Sequence, residues 1–344
     1  MDNSNSFGTS LDYLMSVPAF TRRAHPILVP QYNLFADYCA LDQWRIYVRD
    51  LRAARRERAL LLFSSRGKFK PSLWAIITIG LWPKRYRPTI VLNGDMWEPD
   101  EGILFFIERI IIRLADHAIA RYAVYSSEEL EIFPQVWGVD AAKMRFTPYF
   151  YTITKAEIPD PLPPEAGHIF SGGIRFRDYH PLIEAARRMP EHRFVIATDR
   201  LDSYPDLPAN VTAHLVQPDE FTQLMLSASV VVIPMQQGLH RSAGHQTYLN
   251  AMLCRKLTIV NDVNGVRDHV RDHETGLIVD GSPESYVTAI RWALDPANKK
   301  AVETICAQAA QDVAINFSPE RHAEHMLAIM DEVTPSASDT TGGG

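Results

Sequence analysis

Cysteine is scarce: the 344 residues hold three, Cys39, Cys254 and Cys306, an odd and widely spaced set. Such a set builds neither a disulfide framework nor a CxxC metal site, and a reducing cytoplasm is the compartment expected. Long apolar runs are also missing. The longest uncharged one, Pro71 to Pro83, covers about a dozen residues, where a membrane-crossing helix needs ~20. The opening MDNSNSFGTSLDYLMS lacks a basic stretch followed by an apolar one, so no secretory signal is expected. No overall excess of positive charge exists either; a net charge of −6 argues against nucleic acid as a general partner. No HxH, HExxH or DxD spacing gathers metal ligands, and no GxGxxG follows a strand. A chemistry without metal or bound cofactor is therefore expected.

What is present is an ordinary globular composition, 46% hydrophobic and 22% charged. The chain exceeds the roughly 250–300 residues at which one core stops growing, so two domains are expected. From about residue 25, short β-branched runs alternate with segments of helical period, the rhythm of βαβ units in a parallel sheet. Strand candidates in the first half are 26–31, 59–65, 88–94, 121–127 and 144–150. Those in the second are 168–173, 192–199, 211–216, 229–235, 256–262 and 275–280. Proline density in KAEIPDPLPPEAG, 155–167, forbids regular structure and marks a linker. The expected organisation is a first domain over 1–157, a second over 158–315, a helix over 316–333 returning toward the first, and a disordered tail over 334–344. In the first domain Ile103, Phe106, Ile107, Ile110 and Leu114 recur at helical spacing and predict a helix whose apolar stripe faces the core.

Open doubly wound sheets bind ligands at the carboxyl ends of their strands, where helix N-termini converge. Three loops at such positions have compositions suited to a diphosphate. The first is SGGIRFRD, 171–178. Gly172 and Gly173 permit close backbone approach, and Arg175 and Arg177 can neutralise phosphate oxygens; the same segment also reads as a tight turn with solvated arginines. The second follows SVVVIPM and leads to a helix starting near Gly244–Gln246. Its free N–H groups, with the Ser242 and Thr247 hydroxyls, form a candidate anion site. The third is NDVNGVRDHVRDHETGLIV, 261–279.

This third stretch resembles the GGVPEIVRDGETGLLV segment of retaining, group 1 glycosyltransferases of family 4, with both glycines in register. Leu249 to Val260 resembles that family's LEAMACGKPVI helix and strand, and Gly172 to Ala186 its GRL…KG…LIEAA turn and helix. RYAVYSSEELEIF…KMRFTPYF is similar to the strand, helix and strand that close the family's first domain. The resemblance runs from about Pro88 to Val333 and is strongest over 168–282. It implies an α/β, GT-B architecture: two Rossmann-like doubly wound parallel-sheet domains facing each other across a cleft. The donor, a nucleoside-diphosphate sugar, would lie on the second domain against Gly172, Gly173, Ser242, Gly244, His245, Gln246, Thr247 and Asn250, and the acceptor in the cleft. Sugar transfer with retention is the implied activity; a catalytically silent nucleotide-sugar-binding protein and a GT-B epimerase are the alternatives.

The departures from the family pattern are specific. Its paired glutamates align with Ser242 and Asn250. Asn250 can still hydrogen-bond a ribose hydroxyl, and His245 and Gln246 can take over the sugar contact, although His245 also reads as a surface residue at a helix start. The family's first-domain histidine falls near Gly94, leaving Asn93 and Asp95, the latter either catalytic or a turn cap. Catalysis would rest on stabilising the departing diphosphate, by Arg175 and by Arg177, which takes the place of the family's lysine. Between Arg45 and Arg87 twelve Lys and Arg face two acidic residues. That stretch reads either as a solvated face or as attraction to an anionic, lipid-linked acceptor or a membrane's inner face. On its helix Arg45, Arg49, Arg52 and Arg56 share one side.

Overall fold

The computed structural model describes residues 40–63, 70–94, 97–153 and 157–333. The expected strand at 26–31, Asp95 and the segment 334–344 lie outside the described residues. The chain forms two compact units, one ending at Pro148 and resuming at Pro319, the other comprising Tyr149–Ser318. The proline-rich stretch 158–165 lies within the second unit and carries neither helix nor strand.

In the first unit the described elements are α1 (Ala40–Arg56), β1 (Ala59–Phe63), α2 (Pro71–Gly80), β2 (Thr89–Asn93), α3 (Ile103–Asp116), β3 (Ile119–Val124), α4 (Glu129–Trp137), β4 (Met144–Phe146) and, after Ser318, α10 (Pro319–Val333). The four strands pair in parallel in the order β1-β2-β3-β4. Right-handed crossovers between successive strands place α2, α3 and α4 on one face, and α1 packs beside α2. Apolar residues alone occupy positions 90–92 of β2, all buried, as a parallel strand covered on both faces requires. Leu60, Leu62, Ile76, Ile90, Tyr122 and Trp137 belong to this core. The last helix, α10, packs on β2 and β3, where Glu332 accepts hydrogen bonds from Arg121 (3.1 Å) and Arg145 (2.9 Å).

Two expectations for this unit are corrected. The helix over 103–116 exists, but its predicted core stripe faces outward: Ile103 is 74% exposed, Phe106 60% and Ile110 60%. The core side is made by Ile112 and Ala115, with Phe105 against Trp137. A helix apolar on two sides cannot reveal by period alone which side is covered. On α1 Arg49 leaves the basic stripe, because its guanidinium pairs with Asp50 at 2.7 Å, and buried Asp50 also accepts from Ser72 at 2.9 Å. Burial raises the Asp50 carboxyl above its ordinary pKa. Arg45, Arg52 and Arg56 remain exposed.

The second unit contains β5 (His168–Gly172), α5 (His180–Arg187), β6 (Arg193–Ala197), β7 (Val211–His214), α6 (Pro218–Leu226), β8 (Val230–Ile233), α7 (His245–Leu253), β9 (Thr258–Asn261), β10 (Leu277–Val279), α8 (Pro283–Leu294) and α9 (Lys299–Asn316). Its six parallel strands run β10-β9-β8-β5-β6-β7. The chain enters at the centre with β5, moves outward through β6 and β7, and returns to the other flank of β5 with β8. The winding direction therefore reverses between β5 and β8, the position where a doubly wound sheet opens a crevice at its carboxyl ends. Ile169, Phe194, Val230, Val232, Ile259 and Ile290 form the core beneath it.

Candidate functional site

The loops leaving β5 and β8 are joined at this switch point. Asp178 donates its N–H to the Pro234 carbonyl (3.0 Å) and Gln236 donates to the Phe176 carbonyl (2.9 Å), so Arg177 and Met235 face each other across a short antiparallel bridge. Asn261, at the end of β9, holds Met235 from the other side. Its side-chain oxygen accepts from the Met235 N–H at 2.6 Å and its amide nitrogen donates to the Met235 carbonyl at 2.9 Å. A side-chain amide thus replaces a strand partner where the sheet has ended.

Arg177 occupies the centre. Its Nε donates to the Gly172 carbonyl (3.2 Å), Nη1 to the Arg175 carbonyl (3.3 Å) and Nη2 to Thr247 Oγ1 (3.1 Å), while Nη1 lies 2.8 Å from Met235 Sδ. None of these partners is a carboxylate. Burial depresses its pKa from the ordinary arginine value, yet a guanidinium stays protonated in proteins. Elsewhere in this unit Arg267 is matched to Asp262 (2.7 Å) and Arg271 to Asp312 (2.9 Å), whereas the partners of Arg177 are all neutral.

Two glycines make room for it. Gly173 has φ +119°, and a Cβ there would come within 3.1 Å of Arg177 Nε. Gly244, with φ +86°, precedes α7, and a Cβ there would lie 2.8 Å from Met235 Sδ and 3.5 Å from Arg177 Nη1. No side chain caps the start of α7, and the positive end of the helix lies beside the guanidinium. Cation, helix terminus and glycine-lined backbone are the elements of a phosphate site.

The remaining predicted residues are placed as follows. Arg175 is exposed on the β5 loop, Ser242 is buried, and Gln246 and Thr247 are half-buried in the first turn of α7. His245 is buried, not a surface residue; its ring packs against Tyr149 (5.2 Å), Tyr248 (5.7 Å) and His269 (5.0 Å). Asn250 faces the chain at 152–153. Its Oδ1 accepts from the N–H groups of Thr152 (2.8 Å) and Ile153 (3.2 Å), and its Nδ2 donates to Thr152 Oγ1 (3.1 Å). In the first unit Asn93 ends β2 fully buried, its amide without a hydrogen-bond partner among the described residues.

Sequence reasoning missed Arg241. It is 7% exposed, donates from Nε to the Ser242 carbonyl (3.2 Å) and sets its guanidinium 5.2 Å from the Phe176 ring centroid, which brings a further cation onto the joined loops. His269 was missed as well. Its Nε2 accepts the Tyr149 N–H at 3.1 Å and its Nδ1–H donates to the Gly265 carbonyl at 2.9 Å, and burial lowers its pKa to about 4. The neutral ring is the form this pair of bonds requires.

Residues 169–296 match the model of the family described as glycosyl transferases group 1. No curated protein sequence matches the chain. Among solved structures, a glycosyltransferase from Rickettsia africae ESF-5 is 12% identical with a TM-score of 0.62, covering 90% of this chain and 85% of that one. HepE of Anabaena, solved in complex with UDP, is 15% identical with a TM-score of 0.66, covering 87% and 85%. The sucrose-phosphate synthase of Thermosynechococcus elongatus is 16% identical with a TM-score of 0.62, covering 90% and 86%. The protein thus has the GT-B fold of these glycosyltransferase structures, and the stretch that matches the group 1 family model is the one that carries the Arg177 site.

Proposed function

We propose that the protein is a glycosyltransferase that moves a sugar from a nucleoside-diphosphate sugar to an acceptor, with retention at the anomeric carbon. The observation that carries this is Arg177: a cation without a carboxylate, at the switch point of a doubly wound sheet, between Gly173 and the uncapped start of α7. Desolvating a charge without a counter-ion is costly, and an anionic ligand offsets that cost. As the bond from the sugar's C1 to the diphosphate oxygen breaks, its electron pair stays with the leaving diphosphate. Arg177, with Arg175 and Arg241 on the same loops, answers charge that grows only in the transition state. The backbone from Gly172 to Gly173 and the segment Ser242, Gly244, His245, Gln246 and Thr247 form the donor side. UDP and UDP-glucose in the Anabaena structures support a nucleotide sugar as donor.

Asp95 is the catalytic residue proposed for the first unit, on sequence grounds. The acceptor is proposed to be anionic or lipid-linked, and the enzyme cytoplasmic and peripheral at the inner face of a membrane, on the strength of the positive charge between Arg45 and Arg87. With guanidiniums and helix amides placed for the leaving group, transfer is proposed to proceed without metal. Incubation with UDP-, GDP- and dTDP-sugars, with and without EDTA, is expected to release nucleotide from at least one donor, undiminished by the chelator. A second reading, a silent nucleotide-sugar-binding protein, is favoured by Asn250, whose amide is engaged by the chain at 152–153 where the resembled family has a carboxylate. Donor binding with no release from any donor would establish that reading instead.

A further inference from the structure

The outer side of α3 reverses the usual order of a surface helix. Its two central charged residues turn toward the protein: Glu108 pairs with Lys70, and Arg109 packs beside Gly138. Outward it presents Ile103, Leu104, Phe106, Ile107, Ile110 and Leu114, each between 47% and 74% exposed. Positions 103, 107, 110 and 114 follow one another by three or four residues and form a continuous stripe. Neighbouring α2 adds exposed Trp74 (42%) and, just past the helix end, Leu81 (81%). Single exposed apolar residues are ordinary, but a contiguous set of this kind marks a binding surface.

Charge selects the occupant. Among the described residues from 44 to 116 eight exposed Lys and Arg stand against two exposed carboxylates, Asp100 and Glu101 at the start of α3. Arg45, Arg52, Arg55 and Arg56 lie on α1, and Lys84 and Arg85 follow α2. A second copy docking symmetrically would bring this cationic surface against itself. An anionic surface neutralises it. Exposed Trp44 and Tyr86 add side chains suited to the boundary between water and lipid.

We infer that the outer face of α3 seats the protein on an anionic lipid bilayer, the apolar stripe entering the headgroup boundary and the cations of α1 and the α2 terminus lying over acidic headgroups. This deepens the acceptor-side reading given above and names the inserting element, yet it stands or falls independently of sugar transfer. No helix among the described residues is long and apolar enough to cross a membrane, and a helix lying in the interface needs no such length. Salt weakens the electrostatic part and leaves the apolar part.

Sedimentation with phosphatidylcholine vesicles, with and without added phosphatidylglycerol as the anionic lipid, tests this without donor or acceptor. The full chain is expected to pellet with the anionic vesicles, and Ile107→Glu with Ile110→Glu to weaken that partition at least tenfold. Arg52→Glu with Arg56→Glu is expected to weaken it also and to remove most of its salt dependence. Donor hydrolysis by the α3 variant should equal that of the parent, which separates failure of docking from failure of the transferase reading. The inference is overturned if the parent stays in the supernatant at low salt, or if the α3 variant pellets like the parent. It is equally overturned if velocity sedimentation shows a dimer that the α3 variant dissolves, for then a second copy covers the face.

Discussion

The switch point of the second unit and the outer face of α3 in the first break the same rule in opposite senses. At the switch point a half-buried charged group is held only by carbonyls, a hydroxyl and a thioether. On α3 large apolar groups are left outside while Glu108 and Arg109 turn inward. Neither arrangement is what an isolated unit would choose for stability. Each is complementary to a partner of the opposite character, an anion in one place and a hydrocarbon boundary in the other. Departures from burial rules of this kind locate function because stability alone does not explain them.

The largest effect expected on either side of this comparison is at Arg177. Arg177→Ala removes the contact that strengthens as the leaving group gains charge, and kcat for donor hydrolysis is expected to fall by about 10²–10³, with a smaller change in KM. Unchanged turnover would place the diphosphate elsewhere. Next comes the support of the loops: Asn261→Leu leaves the buried N–H and carbonyl of Met235 unpaired, at about 1–3 kcal/mol each. An unfolding free energy in urea lowered by that amount, with donor affinity lost in parallel, is the expected result; a stable variant with normal affinity would dissociate the loop geometry from binding.

Acid should act on both units alike. His269 in the second and His322 in the first are held neutral by burial, each with its pKa lowered to about 4. Above pH ~6.5 neither state of the chain is protonated at these rings and they add no pH dependence. Below it the unfolded chain binds protons that the folded rings refuse, so stability falls from about pH 6.5 toward 4, by up to about 3 kcal/mol per ring. Urea unfolding followed at pH 7.5, 6 and 5 measures this, and His269→Gln is expected to flatten the slope. The smallest effect is on α3: Ile107→Gln should change the unfolding free energy by less than about 0.5 kcal/mol, as for an exposed site. A loss several times larger would mean that Ile107 packs against the protein and is no docking residue.

Much of this was legible in the residues. The β-branched runs are strands wherever the structure describes them, because an apolar segment of about five residues bounded by Gly, Pro or Asn has few other solutions. SGGIRFRD and the Gly244 helix start could be placed at carboxyl ends of strands because βαβ order puts every such loop there. The two sides of α3 could not be told apart, since Phe105, Ile111 and Ile112 are as apolar as Ile107 and Ile110. Arg241 carried no signal beyond being a cation in a loop, and Asn250 read as a ligand group although the chain at 152–153 engages it.

By itself the sequence determined the periodicities: which segments are strands, which are helices, where glycine permits a left-handed turn. Those depend on residues a few positions apart, and local sterics and hydrogen bonding set them. Tertiary structure alone decided which arginine lacks a carboxylate and which apolar face lacks a cover. Charge pairing and burial are properties of groups distant along the chain, such as Arg177 with Thr247 or Glu108 with Lys70, and only the folded arrangement brings them within a few ångströms.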